Sequence, residues 1–238
     1  MKTICGFLVM VFAFLLLTVH AGAQDTVADT KLTPSKTNLT SGEQEYLLIL
    51  ARKTLTNYLT GKPIQELEKA KLSPALIEKR GCFVTLEKKG NLRGCIGYIQ
   101  PEKSLSECVM ENAVHAATQD PRFPEVNFEE LNAITIEISA LTVPEPLEIK
   151  NRKTLLQLLV PGRDGVILSN GGKKSTFLPQ VWEHFVDKES FLNALCEKGG
   201  MSRGCWEEED TEILTYRAEV FKEKTHDEAM KDPKGKNH

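Results

Sequence analysis

The segment Leu92-Arg93-Gly94-Cys95-Ile96-Gly97 sets a thiol between two glycines in a stretch that otherwise suits a β-strand. Glycine weakens a strand, and inside one it marks a bulge or a close approach by a ligand or another backbone. Gly94 and Gly97 are therefore candidate binding positions. Arg93 stands two residues before Cys95, so on a regular strand both side chains share a face. A guanidinium there favours the thiolate, the reactive form of cysteine. Two readings stand side by side. Cys95 is a nucleophile or redox thiol tuned by Arg93, or it packs as a small hydrophobe in a glycine-relieved core strand. Residue type alone favours the second.

Other side chains bear on that thiol. Asp120 and Arg122 flank Pro121 in a turn, where Asp and Pro have local reasons to be. Arg122 either pairs with a carboxylate or binds an anionic group. His115 continues the helical stripe Cys108–Asn112–His115 and becomes a general base for Cys95 if that helix packs beside the strand. The alternative is an ordinary helix-surface histidine. Glu137 faces away from an isoleucine stripe and is solvated or lines a cleft, with solvation favoured. Cys196 and Cys205 bracket Gly199-Gly200 and form either a short-loop disulfide or two separate buried thiols. No Cys-x-x-Cys or Cys/His spacing suits zinc, so no metal site and no cofactor are expected.

The elements that position these residues follow from periodicity and caps. Ser41 to Gln44 starts a helix that runs to Gly61, with a short helix over 64–71 and a turn at Ser73-Pro74. Cys82 to Ile99 reads as a hairpin. A turn centred between Lys89 and Gly90 places Cys95 opposite Val84 and diagonal to Cys82, roughly 7–8 Å away and beyond easy bridging. Ser104 and Glu107 cap a helix to about Thr118, closed by Asp120-Pro121. Ile134, Ile136 and Ile138 alternate as a half-buried strand. The parity then slips to Leu141 and Val143, which implies a bulge near Ser139-Ala140. A short helix spans 154–159, and Asn170-Gly171 turns a second hairpin. Residues 181–185 and 189–198 read as helical, the latter capped by Gly199-Gly200. Leu214, Tyr216, Ala218 and Val220 alternate in a last strand. Helices and strands mix without a βαβ repeat, so the fold class is α+β.

Composition bounds the partners and the compartment. Phe7 to Val19 is an apolar run after Lys2, and Ala21-Gly22-Ala23 is a small-x-small cleavage site. This is a secretory signal, 1–23, too short for a span of about 20 residues. It leaves no stable membrane anchor and places the protein outside the cytoplasm, periplasmic or extracellular. Residues 24–40 are a flexible linker, 41–221 the folded domain and 222–238 a disordered charged tail. Lys and Arg number 30 against 33 acids, for a net charge of −3, and loss of Lys2 makes it one unit more negative. There is no basic stripe with interleaved aromatics, so neither nucleic acid nor an anionic membrane surface is the expected partner. Cys5 lies in the signal. An odd number of cysteines remains, which leaves at least one thiol unpaired in a monomer.

The signature 92–97 resembles that of the AMMECR-type domain, the family called AmmeMemoRadiSam system protein A in bacteria. The resemblance continues through Asn112-Ala113, Ala116-Ala117 and Asp120-Pro121-Arg122-Phe123-Pro124. Glu130-Leu131, the strand 134–141, Asp164-Gly165-Val166 and Leu178-Pro179-Gln180-Val181 follow in order. Phe191-Leu192 and Leu195 through Gly200 complete it, so it covers about Gln44 to Phe221. It implies an α+β domain of two unequal lobes around a mixed, largely antiparallel sheet, with a cleft near the signature. It implies no settled activity. The family's association with a Memo-family protein and a radical-SAM enzyme makes a Memo-family protein a possible partner. This chain departs from the pattern in its signal peptide and in Gly199, where Ala is usual. The expected function is an exported module that binds a small ligand or partner in the cleft. The alternative is a thiol-dependent enzyme using Cys95.

Overall fold

In the structure, a computed structural model, residues 39–149 and 151–224 are described. The expected signal over 1–23, the expected linker up to residue 38 and the expected tail from residue 225 lie outside the described residues. Thr40, rather than Ser41, caps α1 (Ser41–Leu59): its hydroxyl accepts the Glu43 N–H while the Glu43 carboxylate accepts the Thr40 N–H. Leu47, Leu50, Ala51 and Leu55 of α1 are buried. The helix expected over 64–71 shrinks to a 3₁₀ turn at Lys69–Lys71, followed by α2 (Pro74–Ile77). Side-chain bonds explain the loss. Asn57 donates to the Pro63 carbonyl and the Gln65 side chain, and Gln65 donates to Thr54 Oγ1, which holds the preceding residues extended along α1.

The hairpin β1 (Cys82–Lys88) and β2 (Asn91–Tyr98) leads to α3 (Leu105–Thr118), capped by Ser104 and Glu107 as expected. A 3₁₀ turn at Phe128–Ala133 precedes β3 (Ile134–Leu141). Then come β4 (Glu145–Pro146), α4 (Arg152–Leu158), β5 (Gly165–Asn170) and β6 (Lys173–Phe177). The helix expected at 181–185 is a 3₁₀ turn, Pro179–His184, before α5 (Lys188–Lys198). The strands β7 (Glu212–Tyr216) and β8 (Ala218–Lys222) end the domain.

The fold is α+β, but there are two sheets in place of one mixed sheet. Their orders are β2-β1-β3-β8 and β4-β7-β5-β6, and every pairing is antiparallel. The last strand is really two. The chain leaves the second sheet after Tyr216 and enters the first at Ala218. The crossing is held where Arg217 N–H meets Thr142 Oγ1 and Thr142 N–H meets the Arg217 carbonyl. Lys222 and Glu223, expected to open the charged tail, belong to the fold: Lys222 pairs with Glu137 and the Glu223 carboxylate holds Arg52.

In the first lobe α1 and α3 cover one face of the first sheet, burying Val84, Leu86, Ile136 and Ile138. A Cys82–Cys108 disulfide, not foreseen from spacing, ties β1 to α3. In the second lobe α4 and α5 cover the second sheet. Trp182 stacks on Phe191 there, with ring centroids 3.5 Å apart. Cys196 and Cys205 form the disulfide that the sequence left as one of two options. Between the lobes, Leu141, Ile167 and Tyr216 pack with Phe83, Leu178 and Leu214. This contact explains the parity slip in β3. There is no bulge near Ser139-Ala140; β3 keeps register with β1 from Ala140 to Ile134. Leu141 is apolar because the second lobe covers that end of the opposite face.

Candidate functional site

The register of the first hairpin decides what surrounds Cys95. Lys88 pairs with Asn91 and Glu87 with Leu92, as the Lys89-Gly90 turn dictates. Leu86 then pairs with Gly94, leaving Arg93 as the extra residue of a β-bulge. Beyond it Cys95 lies opposite Thr85, which corrects the expected pairing with Val84. The Thr85 hydroxyl donates to Cys95 Sγ at 3.4 Å.

The bulge frees Arg93, but not for the thiol. Its guanidinium donates to both oxygens of Glu130 (2.8 and 3.3 Å) and to the carbonyls of Pro124 (2.8 Å) and Glu125 (3.3 Å). Lys88 adds a third cationic contact to Glu130 at 2.7 Å. Hydrogen bonds from Arg93 first, then Lys88, pull the Glu130 pKa down to about 2. Arg93 is thus a clamp between the signature strand and the Pro124-Glu125 loop, and its expected part in tuning Cys95 is replaced by this one.

Asp120 makes the second link. Its buried carboxylate, 2% exposed, accepts the Cys95 N–H at 2.8 Å and the Arg122 N–H at 3.1 Å. It also takes Arg122 Nε at 2.9 Å and Nη2 at 2.7 Å. The Arg122 side chain, before all else, holds this carboxyl well below the usual range. The Cys95 bond also satisfies an outward N–H on β2, an edge strand whose unpaired groups would otherwise face solvent. Arg122 therefore takes the first of its two expected roles, pairing with a carboxylate. Its side chain is nevertheless 55% exposed, lies against the Phe123 ring, and has Nη1 unbonded among the described residues. A fixed, half-exposed guanidinium beside a half-buried thiol can still receive an anion.

The remaining candidates fall elsewhere. A Cβ on Gly94 would overlap the carbonyl oxygen of Ala116 in α3, so the close approach there is made by the protein's own backbone. A Cβ on Gly97 would overlap the Phe83 ring and the Cys82 carbonyl. These contacts take the space that a ligand was expected to use. His115 does not form a dyad with Cys95. The helix α3 covers the face to which Gly94 belongs, whereas Cys95, the next residue, sits beside Thr85 on the other face. His115 instead lines a groove with Tyr58, Leu67 and Met110.

Around Cys95 the open face of the first sheet carries a polar row that residue types hardly signalled. Cys95, Thr85, Glu137 and Lys222 are successive cross-strand neighbours. Glu137 is half-buried rather than solvated, and burial followed by nearby Glu87 pushes its pKa up. One row further, Ser139 is buried and accepts the Gln180 amide at 3.5 Å, while Phe83 and Leu178 pack against the same Leu141–Ile167–Tyr216 cluster. The second lobe thus walls one end of this face and leaves the Cys95 row open. Thr85 and Gln180 were missed because only register and the folding-over of the second lobe bring them here. Glu137 did carry a signal, a carboxylate alternating with a buried stripe.

Fold and site together define a two-lobed α+β domain whose Leu-Arg-Gly-Cys strand is locked to an Asp-Pro-Arg turn at the edge of the first sheet. The chain belongs to the AMMECR1 family, whose sequence model matches residues 48–221. A protein of Methanothermobacter thermautotrophicus is 41% identical over 186 residues, covering 78% of this chain and 96% of that protein. A protein of Methanopyrus kandleri is 43% identical over 190 residues, covering 78% and 90%. The crystal structure of the uncharacterised protein PH0010 of Pyrococcus horikoshii is similar with a TM-score of 0.66. Identity to it is 38%, with 76% of this chain and 91% of that one covered. The family is one of uncharacterised function.

Proposed function

We propose that this protein is an exported binding module that receives the anionic group of a small ligand at Arg122, on the open sheet face beside Cys95. The observation that carries this reading is the Asp120–Arg122 pair. A buried carboxylate fixes the guanidinium while leaving it half-exposed next to a row of polar side chains. Its outward edge suits a carboxylate or phosphate. The thiol reading lacks a comparable support. The hydrogen-bond partner of Cys95 Sγ is the Thr85 hydroxyl, which donates, and a nucleophile needs a base within hydrogen-bond reach. Export is supported by the leader over 1–23 and by two disulfides, one in each lobe, since such bonds persist in oxidising compartments.

Titration of the purified chain with citrate, followed by amide NMR, tests the binding reading. Saturable shifts are expected at Cys95, Thr85 and Arg122, with affinity falling about ten-fold in Arg122→Gln and unchanged in Cys95→Ser. Equal affinity in Arg122→Gln, or shifts that avoid this face, would overturn it. Expression in a secreting host tests export. Released protein beginning at Gln24 is expected, and retention with an intact leader would count against it.

A further inference from the structure

We propose a second binding site, for a small organic amine with an apolar body, in the groove between α1 and α3. It is separate from the Cys95 face, lying on the side of α3 turned away from the sheet, and does not depend on the reading above. The cavity has a volume of about 620 Å³. That is within the range of small-molecule pockets, roughly 300–1,000 Å³, which are largely apolar with a few placed polar groups. Tyr58, Ile64, Leu67, Met110 and Val114 supply the apolar lining. Tyr58 and Ile64 are 46% and 43% exposed, a cost in water that a bound apolar body would remove. The wall is built rather than incidental, because the Asn57 and Gln65 hydrogen bonds hold residues 63–65 against α1.

The charges at the mouth select the head group. Lys69 is paired with Glu107 at 2.7 Å and Lys103 with Glu111 at 2.6 Å. Hydrogen bonds from Lys69, then Ser104, bring the Glu107 pKa down to about 2, so that carboxylate stays ionised. Both cations of the rim are thus already matched. Glu66 is the lining acid without a partner among the described residues, and the His115 ring is likewise unbonded. An ammonium finds a free carboxylate and an imidazole nitrogen that can accept, with the Tyr58 ring and the Met110 thioether nearby. An anionic head would meet Glu66, Glu107 and Glu111 with no free lysine.

Three probes with one body and different heads test this: 4-phenylbutylamine, 4-phenylbutanol and 5-phenylpentanoate, titrated into the purified full chain by calorimetry and amide NMR. The amine should bind saturably, shift the amides of Met110, Val114 and His115, and bind about ten-fold tighter than the carboxylate. Glu66→Gln should weaken the amine about three- to five-fold, the range of an exposed ion pair, and leave the alcohol unchanged. Val114→Arg, on a half-buried outward position, should abolish binding of all three while the spectrum stays that of the folded chain. The carboxylate binding as tightly as the amine, shifts confined to other residues, or no saturable binding by any probe would overturn the proposal.

Discussion

Replacing Asp120 by Asn tests the architecture of the site at its centre. The native carboxylate accepts four donors, from Cys95, the Arg122 backbone and two guanidinium nitrogens. An amide offers one acceptor oxygen and turns its NH₂ toward at least one of those donors. At 2% exposure, water cannot take its place. Leaving a buried donor unpaired costs about 1–3 kcal/mol, and a hydrogen bond to a charged group contributes about 1.5–3 kcal/mol. Water recovers part of the second amount, because Arg122 itself is 55% exposed. The expected loss at pH 7 is therefore about 2–3 kcal/mol, or a fall in Tm of about 4–12 °C for a domain of this size. Urea unfolding of both proteins from pH 7 to pH 3 measures it. The folded pKa of Asp120 is depressed, while the unfolded carboxyl titrates near 4. Its stabilisation is present above about pH 4 and is lost as pH falls toward the folded value. The gap between the proteins should thus be widest at pH 7 and narrow below pH 4. A gap under about 0.5 kcal/mol at pH 7, the scale of an ordinary surface change, or one that does not narrow on acidification, refutes the reasoning.

Three further outcomes are expected. Alkylation in denaturant without reductant should label Cys95 among the described cysteines, and peptide mass spectrometry that finds Cys82, Cys108, Cys196 or Cys205 labelled contradicts the pairing. Removing both cysteines of the Cys82–Cys108 pair, which spans 26 residues, should cost about 3.5 kcal/mol by loop entropy, and removing the Cys196–Cys205 pair, which spans 9, about 2.5 kcal/mol. The opposite order in denaturant unfolding would defeat that estimate. Gly94→Ala should destabilise by about 1–3 kcal/mol or more, because its methyl would overlap the Ala116 carbonyl, and an unchanged Tm would show that α3 does not rest on β2 as described.

What was legible in the sequence was local. The Ser104 cap and the isoleucine stripe of β3 each depend on residues within one element, and each lies where periodicity put it; the second hairpin is present too, but it turns at Gly171-Gly172, one residue later than the expected Asn170-Gly171, with Asn170 paired to Lys173. What was illegible depended on a second body. The slip to Leu141 looked like a bulge because one strand's pattern cannot tell a register change from burial on both faces. Leu214 to Val220 looked like one strand because the residues on one side face the inter-lobe cluster both before and after the crossing at Arg217. The real bulge, at Arg93, was marked by the two glycines but read one residue out of register. That slip moved Cys95 from Thr85 to Val84 and hid the polar row. The Cys82–Cys108 bridge joins a strand to a helix, and its feasibility depends on how closely α3 seats on the sheet, which Gly94 governs from the other strand.

The signature therefore carries more architecture than chemistry. Gly94 admits α3, Arg93 clamps the Pro124-Glu125 loop through Glu130, and Asp120 takes the N–H of Cys95 itself. Each of these groups is consumed by a contact that holds the Asp-Pro-Arg turn on the edge of β2. What the lock leaves outward is small: the Arg122 edge, the Cys95 thiol and the row through Thr85 to Glu137. A cation held this rigidly loses little freedom on meeting an anion, and that preorganisation is what a binding site needs. A catalytic thiol needs a base instead, and the groups hydrogen-bonded to Cys95 are a hydroxyl that donates to its thiol and a carboxylate already saturated by four donors. In an oxidising compartment an activated thiol in this half-exposed position would be capped or oxidised. A cysteine that contributes shape and polarisability to the floor of the proposed anion site would survive the proposed export, and on that reading Cys95→Ser retains binding where Arg122→Gln does not.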